Sequence, residues 1–153
     1  HSTSGKRVAY GADGENMRHD RRKEVNMHRM AYRTKPCSEC PWVTTTSPGQ
    51  FPAERYEALR HTTGTAHDQA PLGAPLFACH TTPEGRDMPC AGWLATVGLE
   101  SITVRVLVAQ GRLPARVLRP GEGWPALFTG YEAMVRQQAR PDRNHESCTA
   151  DVT

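Results

Sequence analysis

The sequence predicts a small α+β domain, with three or four helices and a few short strands forming one unit. Three observations predict it. The roughly 110 residues from Ala31 to Arg140 hold enough apolar side chains for one limited core, with aromatics making up only 7% of the chain. Helix start and stop signals recur along that stretch. Between them, three of four cysteines sit beside proline or glycine (Pro36-Cys37, Cys40-Pro41 and Pro89-Cys90-Ala-Gly92), where a chain turns and does not run through a core element.

Taken in order, Pro52 to Arg60 predicts a helix with proline in its first turn, Glu54 early and Arg60 late to suit the helix dipole. Tyr56 and Leu59 face inward, joined by Phe51. Gly64 to Gly73 is a polar loop. Pro75-Leu-Phe-Ala-Cys79 predicts a short buried strand, and Cys90 to Gly98 a helix with Trp93 and Leu94 in the core. Ser101 to Ala109 carries the β-branched residues of a strand but also a capping serine, the Ile102/Val106 spacing and a terminating Gly111, which together favour a helix. Trp124 to Val135 predicts a helix with Pro125 in the first turn and Leu127, Tyr131, Met134 and Val135 on one face. No internal repeat is present.

The expected organisation is a disordered leader over 1–30, a domain over 31–139 and a flexible tail over 140–153 that carries the incidental fifth cysteine, Cys148. The leader lacks large apolar residues and hydrophobic period. Lys23-Glu-Val-Asn-Met27 can be back-translated as AAG GAG GTN AAY ATG, a bacterial ribosome-binding sequence ahead of a start codon, so translation is expected to begin at Met27 or Met30. An intact mass that includes His1 to Asn26 would end that idea. Neither a signal-peptide apolar run nor a membrane-length stretch is seen, which leads to the expectation of a cytoplasmic protein with no membrane association.

Charge argues against one function class. Seven of the 19 Lys and Arg and four of the 16 Asp and Glu lie in 1–30, leaving twelve of each for the rest, so the net +3 resides in the leader. A domain without net charge lacks the basic field that nucleic-acid binding needs, and nucleic acid is not expected as a partner. Arg105, Arg112, Arg116 and Arg119 form a loose late run, read first as a solvated face.

Cys37, Cys40, Cys79 and Cys90 carry the strongest chemical signal. Two thiolates two residues apart turn back onto one cation, and Zn²⁺ takes four such ligands at tetrahedral corners. The second half-site is looser, with Cys79 and Cys90 joined by a loop holding Pro83, Gly85 and Pro89. His80 is an alternate or outer ligand, because ligation by both it and the adjacent Cys79 is sterically awkward. The competing possibilities are unligated core cysteines and disulfide or redox chemistry. A reducing cytosol favours metal over structural disulfides. Zinc stands slightly ahead of an iron-sulfur cluster, although Cys40-Pro41 also suits cluster motifs.

Four ordered runs, Lys35-Pro-Cys-Ser-Glu-Cys-Pro-Trp42, Phe51-Pro52 before Glu54-Arg-Tyr56, Phe77-Ala-Cys-His80 and Cys90-Ala-Gly-Trp-Leu94, resemble a family of small proteins from high-GC bacteria and their phages, known only as a domain of unknown function. The resemblance spans roughly Thr34 to Val108 and implies that Cys37, Cys40, Cys79, His80 and Cys90 fall on its signature positions. It implies no activity. In several relatives another Cys-His pair follows the Gly-Trp motif, where this chain has Ala95-Thr96-Val97, so a five-ligand or binuclear site is not implied here.

Catalytic patterns are weak. Cys79 and His80 are neighbours whose side chains diverge on a strand. Cys37-x-x-Cys40 lacks the preceding βαβ pattern of a thioredoxin-like dithiol. Three function classes follow: a non-enzymatic metal-stabilised adaptor or regulator acting through a protein partner, with Trp42, Trp93 and Trp124 as anchors or core; an iron-sulfur sensor or electron carrier; and a thiol-dependent oxidoreductase using Cys37 and Cys40.

Overall fold

Helices α1 (Ala53–Leu59), α2 (Ala91–Val97), α3 (Ile102–Ala109) and α4 (Tyr131–Gln138) carry most of the regular structure of the computed structural model, which describes residues 29–65 and 67–140. Short 3-10 turns follow at Arg60–Thr62, Gly98–Glu100 and Ala115–Leu118. Among the described residues there is no strand, only isolated antiparallel bridges pairing Val43 with Leu127, Gly64 with Gln69 and Ala78 with Pro89. The α+β expectation is therefore corrected to a helix-and-loop domain. Extended segments do meet, but Pro89 has no N–H with which to lengthen its ladder.

The Ser101 to Ala109 segment is a helix. The Ser101 hydroxyl accepts from the Val104 N–H at 3.3 Å, satisfying a donor that the first turn cannot satisfy itself. The chain bends by 97° between Ala91–Glu100 and α3, so Leu94, Val97, Val104 and Leu107 turn into one core. No single helix among the described residues is long and apolar enough to cross a membrane.

Helix α1 matches its expected span, except that Pro52 is the extended residue before the helix rather than part of its first turn. Tyr56 is buried, and Phe51 packs edge-on against it at 6.0 Å. The last helix differs more. It starts at Tyr131, not Trp124, because the preceding backbone is used elsewhere: Phe128 donates to the Trp42 carbonyl and Thr44 to the Ala126 carbonyl, both at 2.9 Å. That pairing draws the Pro41-Trp42-Val43 segment across the core. Trp42 is fully buried, with Phe77 and Tyr131 edge-on to it at 5.8 and 5.9 Å. Such aromatic pairs are worth about 0.5–1.5 kcal/mol each beyond the area they bury.

Trp93 is also fully buried, its indole N–H donating to Thr63 Oγ1 at 3.0 Å. Of the three tryptophans considered as anchors, two are therefore core, and only Trp124 is partly exposed. The leader up to His28, the tail from Pro141 onward and Cys148 lie outside the described residues.

Candidate metal centre

Turns and one bridge gather four cysteines from three parts of the chain. Cys37-Ser-Glu-Cys40 closes as a turn, with the Cys40 N–H donating to the Cys37 carbonyl at 3.2 Å. The next turn is fastened by Thr46, whose hydroxyl donates to the Cys40 carbonyl at 2.7 Å. Across the bridge, Cys79 N–H donates to the Met88 carbonyl and Cys90 N–H to the Phe77 carbonyl, each at 2.8 Å. The loop between them reverses at Gly85, whose φ of 78° suits a residue without Cβ. Thr82 copies the role of Thr46, its hydroxyl donating to the Cys79 carbonyl at 2.6 Å.

The sulfurs meet in two neighbouring pairs. Cys40 Sγ lies 3.7 Å from Cys90 Sγ, and Cys37 shares a hydrogen bond with Cys79. Cross-terms join the pairs, since Cys37 also feels the charge of Cys40, and Cys90 that of Cys79. All four are free thiols; Cys40, Cys79 and Cys90 are buried and Cys37 is partly exposed. The pairs are not closed into a single cage: among the described residues no three or more His, Cys, Asp or Glu side chains are arranged to hold a metal ion. The expected finished four-cysteine site is corrected to that extent.

The backbone around these sulfurs favours thiolate at one of them. Cys40 is held below the ordinary thiol range, first by the hydrogen bond from Cys90 and further by the N–H groups of Trp42, Gly92 and Val43, against the opposing effect of burial. Cys90 is pushed well up by giving that hydrogen bond, and by burial. Cys37 is pushed up to about 11, chiefly by burial and by Cys79, although the Glu39 N–H opposes this. Within that pair, Cys90 is the hydrogen-bond donor and Cys40 the sulfur whose ionisation is favoured.

Gly92, from the first turn of α2, makes the convergence possible. A Cβ there would lie 2.6 Å from Trp42 Cβ and 3.0 Å from Cys40 Sγ. Only glycine lets the helix that follows Cys90 approach the Cys37–Cys40 turn so closely. The Cys-Ala-Gly-Trp run carried that signal, but the close approach itself was not read from the sequence.

His80 stands outside the sulfurs. Its Nε2 is 3.5 Å from Glu39 Oε2, and its ring packs edge-on to Phe51 at 5.2 Å. Glu39 belongs to the Cys37–Cys40 turn, so this contact ties the two half-sites together from outside. Thr81 Oγ1, 3.1 Å from Cys79 Sγ, is a further sulfur contact that the sequence did not single out.

A family model described as a family of unknown function, DUF6283, matches residues 32–149, a span that contains every cysteine of the centre. The chain belongs to that family. No curated protein and no solved structure matches it.

Proposed function

We propose that this DUF6283 protein is a metal-stabilised domain in which Cys37, Cys40, Cys79 and Cys90 bind one Zn²⁺. Its role is that of a non-enzymatic adaptor or regulator working through contacts with another protein. The observation that carries the metal assignment is the 3.7 Å between Cys40 and Cys90. Zinc bound tetrahedrally at 2.3 Å from each sulfur separates any two sulfurs by about 3.8 Å. A disulfide would bring them to about 2.05 Å.

The N–H groups aimed at Cys40 support this assignment, because a zinc-bound sulfur is an anion and those donors stabilise it before the ion arrives. Binding the ion would draw the second pair, Cys37 and Cys79, toward Cys40 and Cys90. The ion would cross-link a core that is small for the chain's length. The adaptor role rests on less: Leu72 and Leu99 stay 64% and 63% exposed, the kind of apolar surface a partner covers.

An iron-sulfur centre is the second reading, favoured by Cys40-Pro41 alone. In a four-iron cluster each cysteine takes a separate iron, which holds the sulfurs apart by the width of the cluster, whereas a single ion holds them edge to edge. The close Cys40–Cys90 pair therefore argues against a four-iron cluster, and it fits a single ion or a two-iron cluster in which two cysteines share each iron. Anaerobic purification followed by elemental analysis separates the possibilities. A colourless protein with one zinc per chain supports the proposal. Visible absorbance with iron and sulfide supports the cluster, and a metal-free protein with a reactive thiol supports the oxidoreductase.

A further inference from the structure

The late arginine run divides in the fold, and half of it builds a site. Arg105 turns to Gln69, donating to its Oε1 at 3.4 Å. Arg116 and Arg119 instead join Arg33 around a cavity of about 180 Å³ over the outer side of α2. Ala91 and Leu94 form its floor, while Tyr32 and the partly exposed Trp124 stand at its walls.

Its charge is one-sided. No Asp or Glu lines the cavity, and among the described residues no carboxylate pairs with Arg33, Arg116 or Arg119. Arg116 is aimed by a neutral contact, donating to the Tyr32 hydroxyl at 2.7 Å. Three arginines line this one concavity, and their like charges together concentrate anions there. Guanidinium presents paired N–H groups that match the oxygens of phosphate, and it remains charged at every physiological pH.

The parts are fixed by the fold. Val117, buried in the 3-10 turn, anchors the segment that carries Arg116 and Arg119. The Arg33 N–H donates to the Pro89 carbonyl at 3.2 Å, which holds that residue beside the start of α2. Trp124 lies flat against Gly121, where a Cβ would come within 2.7 Å of the indole nitrogen.

We propose that this cavity binds a small molecule carrying a phosphate monoester, with the phosphate among Arg33, Arg116 and Arg119 and the organic portion against Trp124. The volume suits a phosphate with a small substituent and excludes a folded polymer. The proposal is independent of the metal assignment, because none of the lining residues is a cysteine.

Trp42 and Trp93 are fully buried, so the fluorescence change on ligand addition reports Trp124. The purified full chain is titrated with inorganic phosphate and with phenyl phosphate, using sodium chloride of equal ionic strength as the control. Saturable quenching is expected, with dissociation constants on the order of 1 mM for phosphate and lower for phenyl phosphate. Arg116→Ala and Arg119→Ala, both at exposed positions, should each weaken binding about tenfold at unchanged melting temperature. Arg105→Ala should leave it unchanged. Absence of saturation at 20 mM phosphate, or equal binding by the Arg116 and Arg119 variants, overturns the proposal. So does a single-stranded oligonucleotide that binds more tightly than phenyl phosphate through the same arginines, which would make the face a nucleic-acid surface.

Discussion

Replacing Gly92 with alanine sets two effects of known sign against each other. In a helix, alanine in place of glycine normally stabilises by about 0.5–1 kcal/mol, because the unfolded chain loses freedom. Here the added methyl would sit 2.6 Å from Trp42 Cβ and 3.0 Å from Cys40 Sγ. Neither neighbour is the loose end of a flexible side chain. Trp42 is fully buried between Phe77 and Tyr131, and Cys40 is held by the backbone of its own turn. Overpacking in such a place costs about 1–3 kcal/mol, and an approach this close belongs at the upper end of that range. The net expectation is destabilisation by about 2 kcal/mol, a fall in melting temperature of roughly 8 °C for a domain of this size. Thermal unfolding followed by tryptophan fluorescence measures it, and chelator competition on the same samples should show weaker metal retention, since Cys40 is displaced from Cys90. An alanine variant as stable as the parent, with undiminished metal, would refute the close packing of α2 on the Cys37–Cys40 turn.

Ser101→Ala should cost about 1 kcal/mol in urea denaturation through loss of the cap on the Val104 N–H, and an unchanged midpoint would mean that the cap contributes nothing. The metal-free domain should lose stability as pH rises from about 9 to about 11. Cys37 binds its proton more tightly folded than unfolded, so its contribution is full below the ordinary thiol value of 9.0 and disappears as pH passes through its folded value of about 11. Cys90 acts in the same direction and Cys40 in the opposite one, so denaturation midpoints that rise over this interval would contradict the assignment. Cys90→Ser should abolish metal retention and lower the melting point sharply, whereas Cys148→Ser should change neither; full metal content in the Cys90 variant would remove that residue from the ligand set.

Local chemistry made much of the fold legible. Ser101 ahead of an apolar run and Gly111 after it marked α3, even though the β-branched residues between them pointed the other way. Tyr56 in α1 and Trp93 and Leu94 in α2 were readable as core from their spacing within each segment. Pro83, Gly85 and Pro89 signalled the reversal that returns Cys90 to Cys79.

Features that depend on distant partners were not legible. Pro125 looks like a helix start, but the backbone from Ala126 to Phe128 bonds to Trp42 and Thr44, more than eighty residues earlier, and no local pattern announces that pairing. The same holds for strand content. Phe77 and Cys79 are buried while Ala78 between them is exposed, the alternation of a strand, yet a proline opposite limits the ladder to a single bridge. At the candidate centre, the spacing named the four cysteines. It could not reveal the N–H donors from Trp42, Val43 and Gly92 around Cys40, which come together only when α2 docks. Nor could it show that Arg116 and Arg119 share a cavity with Arg33 while Arg105 does not.

X-ray absorption at the zinc edge of the protein as purified is the most direct test of whether one ion gathers the four sulfurs. A single shell of four sulfurs at about 2.3 Å is expected, falling to three with a lighter atom in the fourth position in any variant of Cys37, Cys40 or Cys79 that still retains zinc. A shell dominated by nitrogen or oxygen, or two sulfurs at most, would contradict it.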